Sequence, residues 1–251
     1  MLAVENNKAL LISEKILEER PYNVELADVT WDVFKEGLGG VDNIAELINS
    51  SNLFGMENWT MMPYMSDIWQ GLIDEVFPKL TGKKPFAFFD LADPEKRTKA
   101  DILRAMNLIS AFEGKFKTIL GLNEKEVYEI AEVFDIQLDE SDKLKSAVTA
   151  VYQQMGIYCL VVHPVKSACC CINGEYFYTE GPFCEKPLLT TGAGDNFNAG
   201  FTLGQCLGLD PLSSLTLGVC TSGFYVRNAK SPNFNQVIEF VKSWSTGNVA
   251  S

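Results

Sequence analysis

Thr190-Thr191-Gly192-Ala193-Gly194-Asp195-Asn196-Phe197-Asn198-Ala199-Gly200-Phe201 is the stretch on which the reading of this chain turns. It reads as a tight glycine turn running into a helix. Gly192 and Gly194 permit close backbone approach and dihedrals that a side chain forbids. Phe197, Phe201 and Leu203 then give an apolar face at helical spacing. A helix that begins at such a turn presents unpaired N–H groups and the positive end of its dipole, which together suit an anion. Asp195 falls in the first turn, where the dipole favours a carboxylate. N–H groups beside a carboxylate base are what phosphoryl transfer to a hydroxyl requires. The plainer alternative is an ordinary helix start, with Thr191 as cap, glycines for the turn and Asp195 complementing the dipole.

Strand and helix signals alternate on the N-terminal side of this turn. Phe86-Ala87-Phe88-Phe89-Asp90 is a continuous apolar run ending in an acid, the pattern of a buried parallel strand. Thr118 to Leu122 and Ile157 to Val162 read as two more strands, and Leu53 to Met56 as a short one. Ala9 to Ile12 gives a weak strand signal before a charged stretch broken by Pro21. Helices are expected over Asp67–Leu80, Lys96–Phe112, Glu124–Phe134 and Asp142–Met155, with one or two more between Val29 and Asn49. Asn173-Gly174 between two strand-like runs is a hairpin signal. Past the signature helix, Pro211 to Val226 and Asn235 to Trp244 read as helices. The alternation predicts an α/β chain of three layers, α-β-α. Its Rossmann-like sheet is expected to be mainly parallel, with a C-terminal β-hairpin, in one domain over residues 1–251. In such sheets ligands bind beyond the carboxyl ends of the strands, where Asn123 and the glycine turn both fall.

Asn123-Glu124-Lys125-Glu126 directly follows a strand. Asn at a helix start with Glu three residues later is a capping box. Asp93-Pro94 reads as a turn, with Arg97 solvated beside it.

Taken together, these segments resemble the PfkB (ribokinase-like) carbohydrate kinases. The family signature runs Asp-Thr-x-Gly-Ala-Gly-Asp-x-Phe-x-Ala-Gly-Phe. The chain follows it from Thr190 to Phe201 and departs at Leu189, where an acidic or amide residue is usual. The resemblance implies a ribokinase-like fold and transfer of the ATP γ-phosphoryl to a hydroxyl of a sugar-like molecule. It implies Asp195 as base and an anion hole at Gly192, Ala193 and Gly194. It further implies nucleotide contacts at Thr190 and Asn228, with Asn123 and Glu126 organising Mg²⁺. Asp90 and Asp93-Pro94-x-x-Arg97 also resemble a family segment at the rim of the site. His163-Pro164-Val165-Lys166-Ser167-Ala168 departs from the family's nucleotide loop, because Val165 and Ala168 stand where glycines are usual. The resemblance runs from about Leu53 to Trp244. The family's N-terminal substrate-gripping and lid portion is not recognisable, and Gly39-Gly40-Val41-Asp42-Asn43 echoes its substrate motif only superficially. A fragment or a divergent member is therefore expected.

Composition limits the other classes. With 33 acidic against 21 basic residues and a net charge of −12, the chain offers no basic surface for nucleic acid or anionic membrane. The seven cysteines form no Cys-x-x-Cys pair and His163 is the only histidine, so zinc spacing is absent. Cys169-Cys170-Cys171 reads as packing on alternate strand faces. A reducing cytoplasm is the expected setting, with ATP and a sugar as partners and a homodimer left open. Two rival readings stay open on sequence: a catalytically idle nucleotide-binding protein, and an α/β domain whose glycine turn is purely structural.

Overall fold

The structure, a computed structural model, describes residues 2–5, 8–11 and 26–249. Strands β1 (Leu2–Glu5) and β2 (Lys8–Leu11) pair antiparallel at one sheet edge. The chain then runs α1 (Trp31–Gly37), α2 (Val41–Ser50), β3 (Ser51–Met56), α3 (Met65–Gly71), β4 (Phe86–Asp90) and α4 (Lys99–Phe112). Next come β5 (Lys117–Leu122), α5 (Glu124–Val133), α6 (Lys143–Met155) and β6 (Cys159–Val162). Last are β7 (Ser167–Ile172), β8 (Glu175–Glu180), α7 (Ala193–Cys206), α8 (Pro211–Asn228) and α9 (Phe234–Ser245). One sheet holds all eight strands in the order β2-β1-β3-β4-β5-β6-β7-β8. β3 to β6 are mutually parallel, while β1 joins β3, and β7 and β8 follow β6, by antiparallel pairing.

The parallel block is buried on both faces, which explains its near-continuous apolar sequence. Phe89, Leu120, Leu160 and Val162 face one core under the helices preceding β7, and Phe88, Ile119, Cys159 and Val161 face a second under α7 to α9. Cys169 and Cys171 join the first core and Cys170 the second, as period-2 alternation requires. All seven cysteines are free thiols.

Three elements differ from the sequence expectation. The strand expected at Ala9–Ile12 is β2, Lys8–Leu11, and Ile12 and the break at Pro21 lie outside the described residues. The helix expected over Asp67–Leu80 is α3 followed by a π turn, Leu72–Val76, and a 3₁₀ turn, Phe77–Lys79. Pro78 enters that last turn without an N–H to donate, so the regular ladder does not continue through it. The helix expected from Lys96 begins at Lys99, where Thr98 and Asp101 form a capping box after the 3₁₀ turn Pro94–Lys96.

The helix carrying Asp195 is set by close backbone contact. A Cβ on Gly200 would lie 2.7 Å from the Leu217 carbonyl of α8. Gly200→Ala is expected to destabilise the chain by roughly 1–3 kcal/mol through overpacking, read as a lowered denaturant midpoint. An unchanged midpoint would show that α7 and α8 are free to separate.

Candidate active site

Glu57 after β3, Asp90 at the end of β4, Asn123 after β5 and His163 after β6 lie at the carboxyl end of the parallel block. The N-terminus of α7 meets them there. Gly192 is left-handed, with φ 89°, and is itself the N-cap. Thr191, the cap expected from sequence, makes no capping bond. Its carbonyl instead accepts from Tyr225 Oη at 2.7 Å. A Cβ on Gly192 would come 2.9 Å from that hydroxyl, so both the dihedral and the space call for glycine.

The Ala193 N–H donates to the Thr190 carbonyl at 3.0 Å, and the Asn196 N–H donates to the Gly192 carbonyl at 3.1 Å. Asn196 Nδ2 reaches the same carbonyl at 2.8 Å. Among the described residues, the Gly194 and Asp195 N–H groups have no protein acceptor. Two donors are therefore directed away from the fold at the positive end of α7, which is what an anion requires.

A cavity of about 320 Å³ opens against this turn, lined by Thr190, Ala193, Gly194, His163, Val165 and Phe183 among others. Its walls are mainly apolar, with a few polar groups at the turn, as expected of a small-molecule site. Arg227 shapes one wall. Its Nη1 donates to the Pro182 and Gly223 carbonyls at 2.8 and 2.9 Å, and its Nη2 to the Phe183 carbonyl at 2.7 Å. Asn228, singled out by sequence, is not brought to this cavity. It closes α8 as an exposed residue, with Nδ2 donating to the Phe224 carbonyl at 2.8 Å.

His163 packs beneath Gly194 and 5.0 Å from the Phe197 ring. Burial pulls its imidazole down to about 4, so it is neutral at pH 7. The folded state thus resists a proton that the unfolded chain takes up near 6.5. Stability is expected to fall as pH drops from about 6.5 towards 4. His163→Gln should flatten that part of the pH profile, measured by urea unfolding at several pH values. An equally steep profile in the variant would place the titrating group elsewhere.

Four carboxylates influence one another at the strand ends. Burial first, then the charges of Glu126, Glu57 and Asp195, push the Asp90 carboxyl up to about 7. Desolvation and the charge of Asp195 hold Glu57 above its ordinary range. Asp90 accepts from the Ala92 N–H at 3.0 Å and from Asn198 Nδ2 at 2.9 Å, which ties β4 to the helix of Asp195.

Asn123 and Glu126 form the capping box read from sequence, with Asn123 N–H to Glu126 Oε2 at 2.8 Å and Glu126 N–H to Asn123 Oδ1 at 2.9 Å. The second Glu126 oxygen, Oε1, accepts from the Asp93 N–H at 3.0 Å. At 5% exposure, Glu126 uses both oxygens within the fold. Among the described residues no group of three or more His, Cys, Asp or Glu side chains converges to hold a metal.

Arg97 departs from expectation. Rather than being solvated, it is half-buried, with Nη2 donating to the Trp59 and Met62 carbonyls at 3.2 and 2.8 Å and Nε to the Thr60 carbonyl at 3.2 Å. Its guanidinium stacks 4.8 Å over the Trp59 ring. Arg97 and Arg227 act on backbone carbonyls, which carry no side-chain signature. Glu57 likewise belongs to no motif, and the one signal it offers in sequence is that of an acid directly after a strand of this fold.

The sequence profile of the prokaryotic ketohexokinase family matches residues 14–244. The chain belongs to the prokaryotic ketohexokinase family. A curated ketohexokinase from Haloferax volcanii is 27% identical over 205 residues, covering 82% of this chain and 54% of that protein. The chain thus spans about half the length of that relative. Among solved structures, Arabidopsis thaliana ribokinase complexed with ribose and ATP superposes with a TM-score of 0.60 at 16% identity, covering 81% of this chain and 60% of that one. Thermotoga maritima ribokinase gives 0.58 at 18% identity, covering 79% and 59%. A putative ribokinase II from E. coli with ATP and Mg²⁺ gives 0.59 at 15% identity, covering 79% and 61%. The ketohexokinase-family chain therefore has the ribokinase fold. Among the described residues, no helix is long and apolar enough to cross a membrane.

Proposed function

We propose that the chain, acting as one α/β unit, is an ATP-dependent kinase that phosphorylates a hydroxyl of a ketohexose. The observation that carries this reading is the junction at Gly194 and Asp195. Two N–H groups without a protein acceptor among the described residues meet a carboxylate there, beside a cavity of about 320 Å³, in a ketohexokinase-family chain.

The nucleotide base occupies the apolar cavity, and Thr190 lines the passage to the turn. The phosphates lie at the N-terminus of α7. The Gly194 and Asp195 N–H groups donate to the transferring phosphoryl, where charge develops in the transition state. Asp195 takes the proton of the acceptor hydroxyl. As the new O–P bond forms, the bond from the γ-phosphorus to the β–γ bridging oxygen breaks and ADP leaves. Ala193 contributes through the turn rather than through its N–H, which Thr190 holds.

Asn123 and Glu126 supply hard oxygens, the donor chemistry that suits Mg²⁺. Both already serve the fold, so each is assigned to the metal through bound water. Mg²⁺ carried with the nucleotide supplies charge neutralisation on its phosphates.

The reading is tested by a melting-temperature screen with ATP–Mg²⁺, alongside ADP release measured with and without a ketohexose. A nucleotide-dependent rise in melting temperature and ketohexose-dependent ADP release are expected. No shift with any nucleotide would leave the glycine turn a purely structural helix start.

A further inference from the structure

Two turns leave neighbouring strands at the carboxyl end of the sheet, and both adopt backbone that resists ordinary side chains. Asn58, after β3, has φ 64°, and Ala92 and Asp93, after β4, have φ 59° and 60°. None is a glycine. Asn and Asp tolerate this region better than other side chains, but Ala92 does not, and three such residues in two adjoining turns persist only where their surroundings fix them. What fixes them here is a continuous strut. The Thr60 N–H donates to the Leu91 carbonyl at 2.9 Å, joining the two turns directly. Arg97 takes the Trp59, Thr60 and Met62 carbonyls together and stacks on Trp59. Trp59 is anchored in turn by Nε1 donating to Ser66 Oγ at 2.9 Å. On the other side the Asp93 N–H donates to Glu126, the residue that caps α5. The hydrogen bonds described for Arg97 all go to backbone carbonyls, although acids outnumber bases in the chain 33 to 21. Its charge is directed at carbonyl dipoles, and only a planar fork of donors can hold three of them in one geometry.

Glu57 and Asn58 begin the turn that Arg97 closes. They follow β3, three strands along the sheet from β6, whose next residue His163 lines the nucleotide cavity with Val165 and α8, and neither of them lines that cavity. We propose that Arg97 is a positioning residue, fixing the β3 turn so that Glu57 and Asn58 form a rigid wall on the acceptor side of Asp195. This inference rests on the kinase reading for its consequence in catalysis, but not for the strut itself. A rigid wall holds the acceptor hydroxyl in near-attack geometry, which is where catalysis by positioning arises.

The test compares Arg97→Lys and Arg97→Met with the unsubstituted chain, using two readouts. The first is amide hydrogen exchange. Arg97→Met keeps much of the apolar stem, and should speed exchange at residues 58–62 several-fold while leaving 190–197 unchanged. Unchanged exchange at 58–62, or faster exchange throughout the chain, would overturn the strut. The second is kinetics. Arg97→Met should raise the KM for the ketohexose roughly 10-fold or more. The KM for ATP should hold, and Arg97→Lys should recover part of the loss. A rise in the KM for ATP alone, or no change in either KM, would overturn the acceptor-wall assignment. If the unsubstituted chain transfers no phosphoryl group, the kinase reading and the acceptor-wall assignment fail together, while the exchange readout still decides the strut.

Discussion

Asp195→Asn is expected to reduce phosphoryl transfer by at least ~10²-fold, the low end for loss of a general base. ATP binding should stay nearly intact. The amide is isosteric, and the donors proposed for the phosphates are backbone groups at Gly194 and Asp195 that the substitution keeps. The turn depends on Gly192, Asn196 and Tyr225, none of which touches the Asp195 carboxylate in the hydrogen bonds described. A fall in kcat with an unchanged ATP-induced rise in melting temperature is therefore the expected pair of results. A near-normal kcat would remove Asp195 from the mechanism. A lost thermal shift would show instead that its carboxylate holds the turn together.

Glu126 should give the largest effect on stability. Capping alone suggests Glu126→Gln is mild, since Gln is accepted at this position of a capping box. The structure changes that expectation. Oε2 accepts from Asn123 and Oε1 from Asp93, on a side chain that is 5% exposed. An amide has only one acceptor oxygen, so one of these N–H groups loses its partner and faces another donor. Glu126→Ala removes both acceptors from these part-buried N–H groups, at roughly 0.5–1.5 kcal/mol each. In a chain of this size that corresponds to a melting-temperature loss of about 2–4 °C per kcal/mol. The order expected is wild type, then Gln, then Ala, measured by thermal unfolding without nucleotide. Under the proposed metal role, activity should also need more Mg²⁺ in the Gln variant, because the substitution removes the carboxylate charge assigned to metal-bound water. Equal melting temperatures for all three chains would contradict the hydrogen-bond assignment.

The legible parts of the molecule were those encoded locally. The runs around Phe88, Leu120 and Leu160 announce strands buried on both faces, because every position must be apolar there. The turn at Gly192 and the box at Asn123–Glu126 are backbone devices confined to a few consecutive residues. What escaped were pairings across long stretches of chain. Asn198 reaches Asp90 over 108 residues, and Arg97 reaches carbonyls 35 to 38 residues earlier. No spacing rule marks an arginine whose partners are main-chain oxygens. Asn228 shows the converse. A polar residue at a helix end is visible in sequence, but where that end points is set by packing. It closes α8 outside the cavity that Val226, two residues earlier, lines. Thr191 lost the cap position to Gly192 for a related reason. The left-handed dihedral falls on the glycine, which shifts the start of α7 by one residue.

In the proposed reaction, the junction at Gly194 and Asp195 passes a phosphoryl group from ATP to a ketohexose. Phosphorus NMR of the chain with ATP, Mg²⁺ and fructose follows that transfer directly. The expected result is loss of the γ-phosphate signal matched by a new sugar phosphate monoester signal, dependent on fructose and absent with Asp195→Asn. Release of inorganic phosphate alone, at the same rate with or without fructose, would contradict it.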